Sequence, residues 1–463
     1  MRFYPRRILR SVLVVTMLLF VMLNLHILLT AQPEGSSEYR KALILQGNHK
    51  SIFEMHVQFS NSDGEYVQLP NLPKFVITPK LKPFNMTPIA INHDVDVTNL
   101  TVIKSETARI NAEQQIHNID QFGLRLDSHS VVIVIQVHDR HDYLYILLDS
   151  LRKVRNIEKT LLVISHDVYS PELNQVVESI DFCPVMQIFF PYSQQMFPDV
   201  FPGESVNDCP RDIKKDQAKL KKCNNAEHPD KYGHYREAKY CQAKHHWIWK
   251  LNHVFEGVDV LINYEGMVLL LEDDYFLTED ALTMLQMMHN LQLKDCKDCR
   301  MFVIGNYDKI QNYKMNSGKA EKAYWISSRH NMGMVFNRKL WQAIKQCSQQ
   351  FCLHDDYNWD WTIQHLSMKC IPNKIRLLKM KASRVFHIGE CGMHVKGKSC
   401  NPDGKLKKVL DLIAKNKQYF FPNVLTVAGE SRYKLRDPKA NGGWGDKRDH
   451  DMCLSFFQNS TVS

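Results

Sequence analysis

A chain of 463 residues with 44% hydrophobic and 24% charged residues has the composition of a folded globular protein, which excludes a disordered or low-complexity chain. Its length suits one large catalytic domain with accessory segments, able to bury an ample core. The formal charge of +9 favours acidic small ligands, but no basic stripe interleaved with stacking aromatics is present, so nucleic acid is not an expected partner.

Arg2, Arg6, Arg7 and Arg10 precede residues 11–31, which carry no charge. At about 1.5 Å per residue such a run can cross a hydrocarbon layer about 30 Å thick. The arginines hold the preceding end in the cytoplasm. The expected layout is a cytoplasmic tail at 1–10, a transmembrane signal anchor at 11–31 and a lumenal remainder. The rival is a signal peptide cut after Ala31, although its apolar region would be overlong and Leu29 is bulky for its place. Residues 32–125 read as a lumenal stem, with Pro70, Pro73, Pro79, Pro83 and Pro88 among polar residues and no cysteine. Sequons at Asn85 and Asn99 fit an exposed stem, and a third lies at Asn459. A helix over 104–120 is expected to lead into a catalytic domain at 126–463.

From residue 128 strands and helices alternate. The β-branched run 131–137 predicts a strand buried on both faces, and 143–155 an amphipathic helix. Further strands are predicted at 161–165, 185–190 and 267–271, and a helix over 235–255. Thr278 is the expected N-cap of another helix, with Glu279 and Asp280 in its first turn. This rhythm predicts an α/β domain with a mostly parallel, Rossmann-like sheet, whose ligands bind beyond the carboxyl ends of the strands.

Polar residues cluster at those ends. The last strand runs into Glu272-Asp273-Asp274, and unpaired carboxylates are costly to bury, so they meet water, a partner or a metal. Oxygen ligands suit Mn²⁺ or Mg²⁺, but acids after a strand also cap helices. Gln136-Val137-His138-Asp139-Arg140 and Ser165-His166-Asp167 could read a base and ribose or merely form turns. Gln242-Ala243-Lys244-His245-His246 lies on a helix whose polar face either touches a ligand or lies at a surface. Asp355-Asp356-Tyr357-Asn358-Trp359-Asp360-Trp361 mixes acids with aromatics: a partly desolvated carboxylate would suit proton abstraction, while helical spacing also allows a solvated acidic face over core tryptophans. His387 ends an apolar run, where a lone histidine is usually structural but can complete an Mn²⁺ shell. All twelve cysteines lie in the downstream part, as disulfides of an oxidising lumen would, with a zinc site at Cys296-x-x-Cys299 as the alternative.

In order along residues 128–455, these blocks, with Gly233-His234-Tyr235-Arg236-Glu237-Ala238-Lys239 and Gly442-Gly443-Trp444-Gly445-Asp446, closely resemble the N-acetylglucosaminyltransferase II family. The resemblance implies a glycosyltransferase-A fold in a single-pass type II Golgi membrane protein. It implies transfer of N-acetylglucosamine from UDP-GlcNAc in β-1,2 linkage to the α-1,6-arm mannose of N-glycans. That step is an inverting single displacement in hybrid-to-complex maturation. By the same resemblance Asp274 and His387 bind Mn²⁺ and Asp360 is the catalytic base. Gln136, Val137, His138, Asp139, Arg140, Asp167, Gln242, Ala243, Lys244, His245 and His246 bind substrate. The implied disulfides are Cys209–Cys223, Cys296–Cys299, Cys347–Cys370, Cys352–Cys453 and Cys391–Cys400, leaving Cys183 and Cys241 over. The partners so implied are the UDP-GlcNAc donor, a mannose-terminated glycoprotein acceptor and the Golgi membrane, with room for a homodimer. Two positions depart from the family: Asp139 stands in place of Asn, which adds charge near an anionic donor, and Gln311 in place of Arg, so Gln311 is given no binding role. Residues 309–324 also diverge. The rivals are an inactive glycan-binding relative, a transferase of other specificity, and a glycoside hydrolase, which would not need the strand-end acids as a metal triplet.

Overall fold

A strand buried on both faces needs apolar side chains all along it, and Val131–Val137 supplies them, with Gln136 alone reaching partial exposure. In the computed structural model, which describes residues 95–391 and 402–458, this strand lies inside a ten-stranded sheet. The strands in chain order are β1 (Ile116–His117), β2 (Val131–Val137), β3 (Leu161–His166), β4 (Val185–Phe189), β5 (Met267–Glu272) and β6 (Tyr275–Leu277). They continue with β7 (Met301–Val303), β8 (Lys319–Tyr324), β9 (Met334–Phe336), β10 (Arg376–Met380), β11 (Val385–His387) and β12 (Thr426–Glu430). The sheet order is β1-β4-β3-β2-β5-β9-β7-β10-β8-β12, and β6 pairs with β11 in a separate two-stranded ribbon.

The run β4-β3-β2-β5 is parallel, as the β-α rhythm predicts. Beyond β5 the sheet becomes mixed, because β9 pairs antiparallel with both β5 and β7, and β10 antiparallel with β8. The helices that frame the site are α1 (Leu100–Glu113), α2 (His141–Arg152), α3 (Ala238–Asn252), α4 (Ala281–Asp295), α5 (Trp359–Lys369) and α6 (Lys447–Gln458). Strand side chains alternate between faces. Ile133 and Ile135 therefore share one core with Leu144, Leu148 and Leu285 of α2 and α4, while Val132 and Val134 share the other with Ile248 and Leu251 of α3.

Several boundaries differ from the sequence expectation. α1 starts at Leu100, where the Asn99 side chain accepts from the amides of Thr101 and Val102, and it stops at Gln114 in the left-handed region. It is part of the folded body rather than a stem. Ile103 packs with Tyr169, Phe189 and Met196, and the Asn111 side chain both donates to the Phe189 carbonyl and accepts from its amide, each at 2.7 Å. β1 pairs with β4 beside it. Residues ahead of 126 thus pack with the body, because this stretch covers the open edge of β4. Thr278 is not the cap of α4; the helix starts at Ala281 and the Thr278 hydroxyl donates to Asp280. The tail, the anchor at 11–31, the sequons at Asn85 and Asn459, and Cys400 lie outside the described residues. Among the described residues no helix is long and apolar enough to cross a membrane.

Four of the implied disulfides are present: Cys209–Cys223, Cys296–Cys299, Cys347–Cys370 and Cys352–Cys453. Cys391 is disulfide-bonded as well, and Cys183 and Cys241 are free and buried. The bond between Cys296 and Cys299 overturns the zinc alternative, since sulfurs joined to each other are not thiolate ligands.

A buried ion pair ties the ribbon to the body. The Arg384 guanidinium, just before β11, meets Asp280 at 2.8 Å, and both side chains are inaccessible to solvent. Arg384 also donates to the Ala382 carbonyl and the Ser317 hydroxyl. Removing one member of such a pair leaves an uncompensated charge in the interior. Arg384→Met is expected to lower stability by about 3–5 kcal/mol, read from urea denaturation.

Candidate functional site

Register brings the strand ends level: Gln136 pairs with Ser165 on one side and Glu272 on the other. All three share the face covered by α3. Lys250 Nζ donates to Gln136 Oε1 at 2.8 Å, and the Ser165 hydroxyl lies 2.8 Å from His246 Nε2. Burial lowers the Lys250 pKa to about 7, and burial together with the Asp274 charge raises Glu272 to about 7.

After β5 the chain passes through Asp273 and Asp274, both almost wholly buried, into β6. Arg140, from the β2 end, bridges them: Nη2 reaches Asp273 Oδ1, and Nη1 lies 2.7 Å from Asp274 Oδ2. The His138 amide also donates to Asp273 at 3.2 Å. Burial still lifts Asp273 to about 6 against the pull of Arg140. The ribbon pairs His387 with Tyr275, next to Asp274, and so sets His387 Nε2 3.2 Å from Asp274 Oδ2. Burial opposes the charge on Asp274, but the His387 hydrogen bond and the Arg140 charge hold its pKa below the ordinary value. Asp274 Oδ1 is buried with no hydrogen-bond partner. Gly389 lies against the same carboxylate, since a Cβ there would be 2.2 Å from Asp274 Oδ2.

Asp167 is the hub of the neighbouring rim. It lies 2.6 Å from His138 Nδ1, accepts from Gln242 Nε2 at 3.0 Å and sits 3.6 Å from His246 Nδ1. Burial would lower the His138 pKa, but the Asp167 contact outweighs it and pushes it up to about 9. The same contacts hold Asp167 well below the carboxylate range despite burial.

Not every implied site residue joins these clusters. Gln242 and His246, four residues apart on one face of α3, do, whereas Lys244 and His245 make their contacts elsewhere. Lys244 Nζ donates to the carbonyls of Asp356 and His354, and His245 Nε2 meets Asp449 of α6 at 3.0 Å. Both side chains are buried and held by these contacts. Ala243 is half-buried. The Val137 side chain is in the core, so only its backbone is at the rim. Asp139 is exposed, 3.7 Å from His138 Nε2. Gln311 braces its loop, donating to Asn306 and accepting from the Ser383 amide.

Asp360, in the first turn of α5, faces the ribbon. Its Oδ2 accepts from the Ser327 hydroxyl at 2.7 Å and from Asn331 Nδ2 at 3.1 Å. The Asn331 backbone carbonyl in turn accepts from the Tyr275 hydroxyl at 3.5 Å, and Tyr275 follows Asp274 in the chain. The Tyr307 hydroxyl feels the charges of Glu272, Asp360 and Asp274 together. Burial raises the Asp360 pKa, opposed by the Ser327 and Trp361 hydrogen bonds. Its neighbours are structural. Asp356 is fully buried and accepts from Asn358 and Asn441, Asp355 accepts from the amides of Lys231 and Trp444, and Trp359 stacks on Trp247. Gly442 and Gly443 have positive φ and lie against Asp230 and Tyr357, where a side chain would collide. Ser327 and Asn331 carried no signal in the sequence, being isolated polar residues outside any motif; Tyr275, beside the acid triplet, could have been found.

Among the described residues, the group of three acidic, thiol or imidazole ligands close enough to share an ion is Cys296, Asp298 and Cys299, whose cysteines are bonded to each other. At the strand ends Asp274 and His387 bring one carboxylate and one imidazole within 3.2 Å of each other.

The molecule is therefore an α/β protein with acidic and histidine side chains clustered at the ends of a parallel strand run, where sheets of this class bind their ligands. The chain belongs to the N-acetylglucosaminyltransferase II (MGAT2) family, whose model matches residues 104–453. Similar proteins called alpha-1,6-mannosyl-glycoprotein 2-beta-N-acetylglucosaminyltransferase include that of Sus scrofa, 42% identical over 362 residues, covering 78% of this chain and 81% of that one. That of Homo sapiens is 42% identical over 363 residues, with 78% and 81% covered. That of Arabidopsis thaliana is 36% identical over 332 residues, with 70% and 74% covered. Solved structures are only distantly similar. S. aureus TarS 1-349 has 12% identity and a TM-score of 0.29, with 72% of this chain and 71% of that one covered. The mannosyltransferase PcManGT from Pyrobaculum calidifontis, in complex with GDP-Man and Mn²⁺, has 9% identity and a TM-score of 0.28, with 79% and 84% covered. Likeness at that level carries no argument about the site.

The His138–Asp167 contact is open to direct measurement. Asp167→Asn removes the charge that stabilises imidazolium, so the His138 pKa is expected to fall from about 9 by at least about one unit toward the ordinary value, followed by NMR titration.

Proposed function

We propose that this chain transfers N-acetylglucosamine from UDP-GlcNAc to O2 of the α-1,6-arm mannose of N-glycans, with inversion to a β-1,2 linkage. The observation that carries the reading is the meeting of Asp274 and His387 at the ribbon, joined to Asp360 through Tyr275 and Asn331. Family membership supports donor and acceptor alike. A glycosyltransferase-A fold, a lumenal Golgi setting and a membrane anchor at 11–31 belong to the same reading.

Asp274 and His387 fit a divalent cation, Mn²⁺ in this reading. Asp274 Oδ1 is a buried oxygen without a partner, and Gly389 keeps the space beside Asp274 clear of a side chain. When bound, the ion offsets the charge of the diphosphate leaving group. Arg140 neutralises the two buried aspartates and keeps them in place. Charged His138, Asp167 and Gln242 form the rim that receives the nucleotide. Asp360 takes the proton of the mannose 2-hydroxyl as that oxygen attacks the anomeric carbon. Its burial suits it to the task, because desolvation makes a carboxylate a stronger base.

Asp360→Asn is expected to leave UDP-GlcNAc affinity unchanged in calorimetry while turnover falls by about 10²- to 10⁴-fold; near-normal turnover would remove Asp360 from the base role. Chelation is expected to abolish transfer and added Mn²⁺ to restore it. Full activity in excess chelator would count against a metal at Asp274 and His387.

A further inference from the structure

The two oxygens of Asp360 are not equivalent. Oδ2 accepts from both the Ser327 hydroxyl and Asn331 Nδ2, whereas Oδ1 accepts from the Trp361 amide alone among the described residues. A carboxylate oxygen offers two in-plane lone pairs. Oδ2 is therefore saturated, and Oδ1 keeps one pair free.

The two donors are firmly built in. Ser327 is wholly buried, and its amide donates to Gln364 Oε1 at 2.9 Å, one turn beyond Asp360 on α5. The same short turn, Ser327–His330, is braced by the Ile326 amide donating to His330 Nδ1 and by Trp325 Nε1 donating to the His330 carbonyl. Asn331 follows, and while its Nδ2 serves Asp360, its Oδ1 is buried without any partner. An unsatisfied carbonyl beside the base is costly in the resting protein, and a hydroxyl donor would relieve it.

We infer that Ser327 and Asn331 are positioning residues for the transfer: they occupy Asp360 Oδ2 and leave its Oδ1 to receive the proton, and the unpartnered side-chain oxygen Oδ1 of Asn331 accepts a neighbouring hydroxyl of the acceptor sugar. This rests on Asp360 being the base. In the step, the acceptor O–H bond breaks and its proton goes to Oδ1. The acceptor oxygen forms a bond to the anomeric carbon, and the bond from that carbon to the diphosphate breaks, with its electron pair leaving on the diphosphate. Charged and titratable groups near Asp360 are Asp356 from the preceding loop, Tyr275 from β6 and Tyr307 from the loop after β7. Neither Ser327 nor Asn331 titrates, so replacing them moves the pH profile only through Asp360.

The test uses the full chain with UDP-GlcNAc and a mannose-terminated biantennary acceptor from pH 5 to 8. Each donor stabilises the carboxylate form, so its loss raises the Asp360 pKa and activity disappears at a higher pH on the acidic side. Ser327→Ala is expected to move the acidic limb of kcat up by about one unit with acceptor KM unchanged, and Ser327→Thr to restore it. Asn331→Ala is expected to move the limb likewise and to raise acceptor KM on the order of tenfold. UDP-GlcNAc affinity and thermal melting report folding; if Ser327→Ala does not fold, the limb and KM of Asn331→Ala decide. Unmoved limbs, with Asp360→Asn inactive, would overturn the inference and leave the base assignment standing. An active Asp360→Asn would overturn that assignment and the inference with it.

Discussion

The site depends on a two-stranded ribbon that is no part of the main sheet. β6 and β11 pair antiparallel, and that pairing alone sets His387 across from Tyr275 and so beside Asp274. In sequence Asp274 and His387 are more than a hundred residues apart, and a one-residue slip would turn His387 to the other face of the ribbon. The base of the ribbon is fixed by Arg384 and Asp280, and the Ile388 amide donates to the Asp274 carbonyl at 2.9 Å. Tyr275 extends the same device toward α5, through Asn331. One ribbon thus sets the positions of Asp274 and His387 and, at one remove, of Asp360.

Charge is arranged with similar economy. Asp273 and Asp274 follow an apolar strand, where two buried carboxylates would repel each other, and a single guanidinium from the adjacent strand end serves both. On the other rim Asp167 gathers His138, His246 and Gln242, so one carboxylate orders three side chains from two elements. The polar residues of the site mostly hold one another before any ligand is present, which favours binding without large rearrangement.

Much of this was legible in the sequence, for physical reasons. The strand 131–137 could be read because burial on both faces forces an unbroken apolar run, and Asp274 because acids at the end of such a run need an explanation. The limits are equally specific. Gln242 to His246 forms one block in the sequence, yet a helix distributes its residues around an axis, so Gln242 and His246 reach Asp167 while Lys244 and His245 support the segment before α5 and helix α6. The antiparallel β9 is not legible in the sequence because three residues carry too little periodicity to reveal direction. Ser327 and Asn331 could not be found from spacing at all, since what matters about them is a contact made across the fold.

The covering of β4 has a practical side. Residues 100–117 look dispensable beside a catalytic domain that starts near 126, yet Asn111 hydrogen-bonds to both backbone groups of Phe189 much as a neighbouring strand would, and β1 continues the pairing. A shortened form lacking them would present a bare apolar strand edge to solvent, an invitation to self-association. Trimming this enzyme for solubility should therefore stop ahead of Asn99, the residue that starts the covering helix.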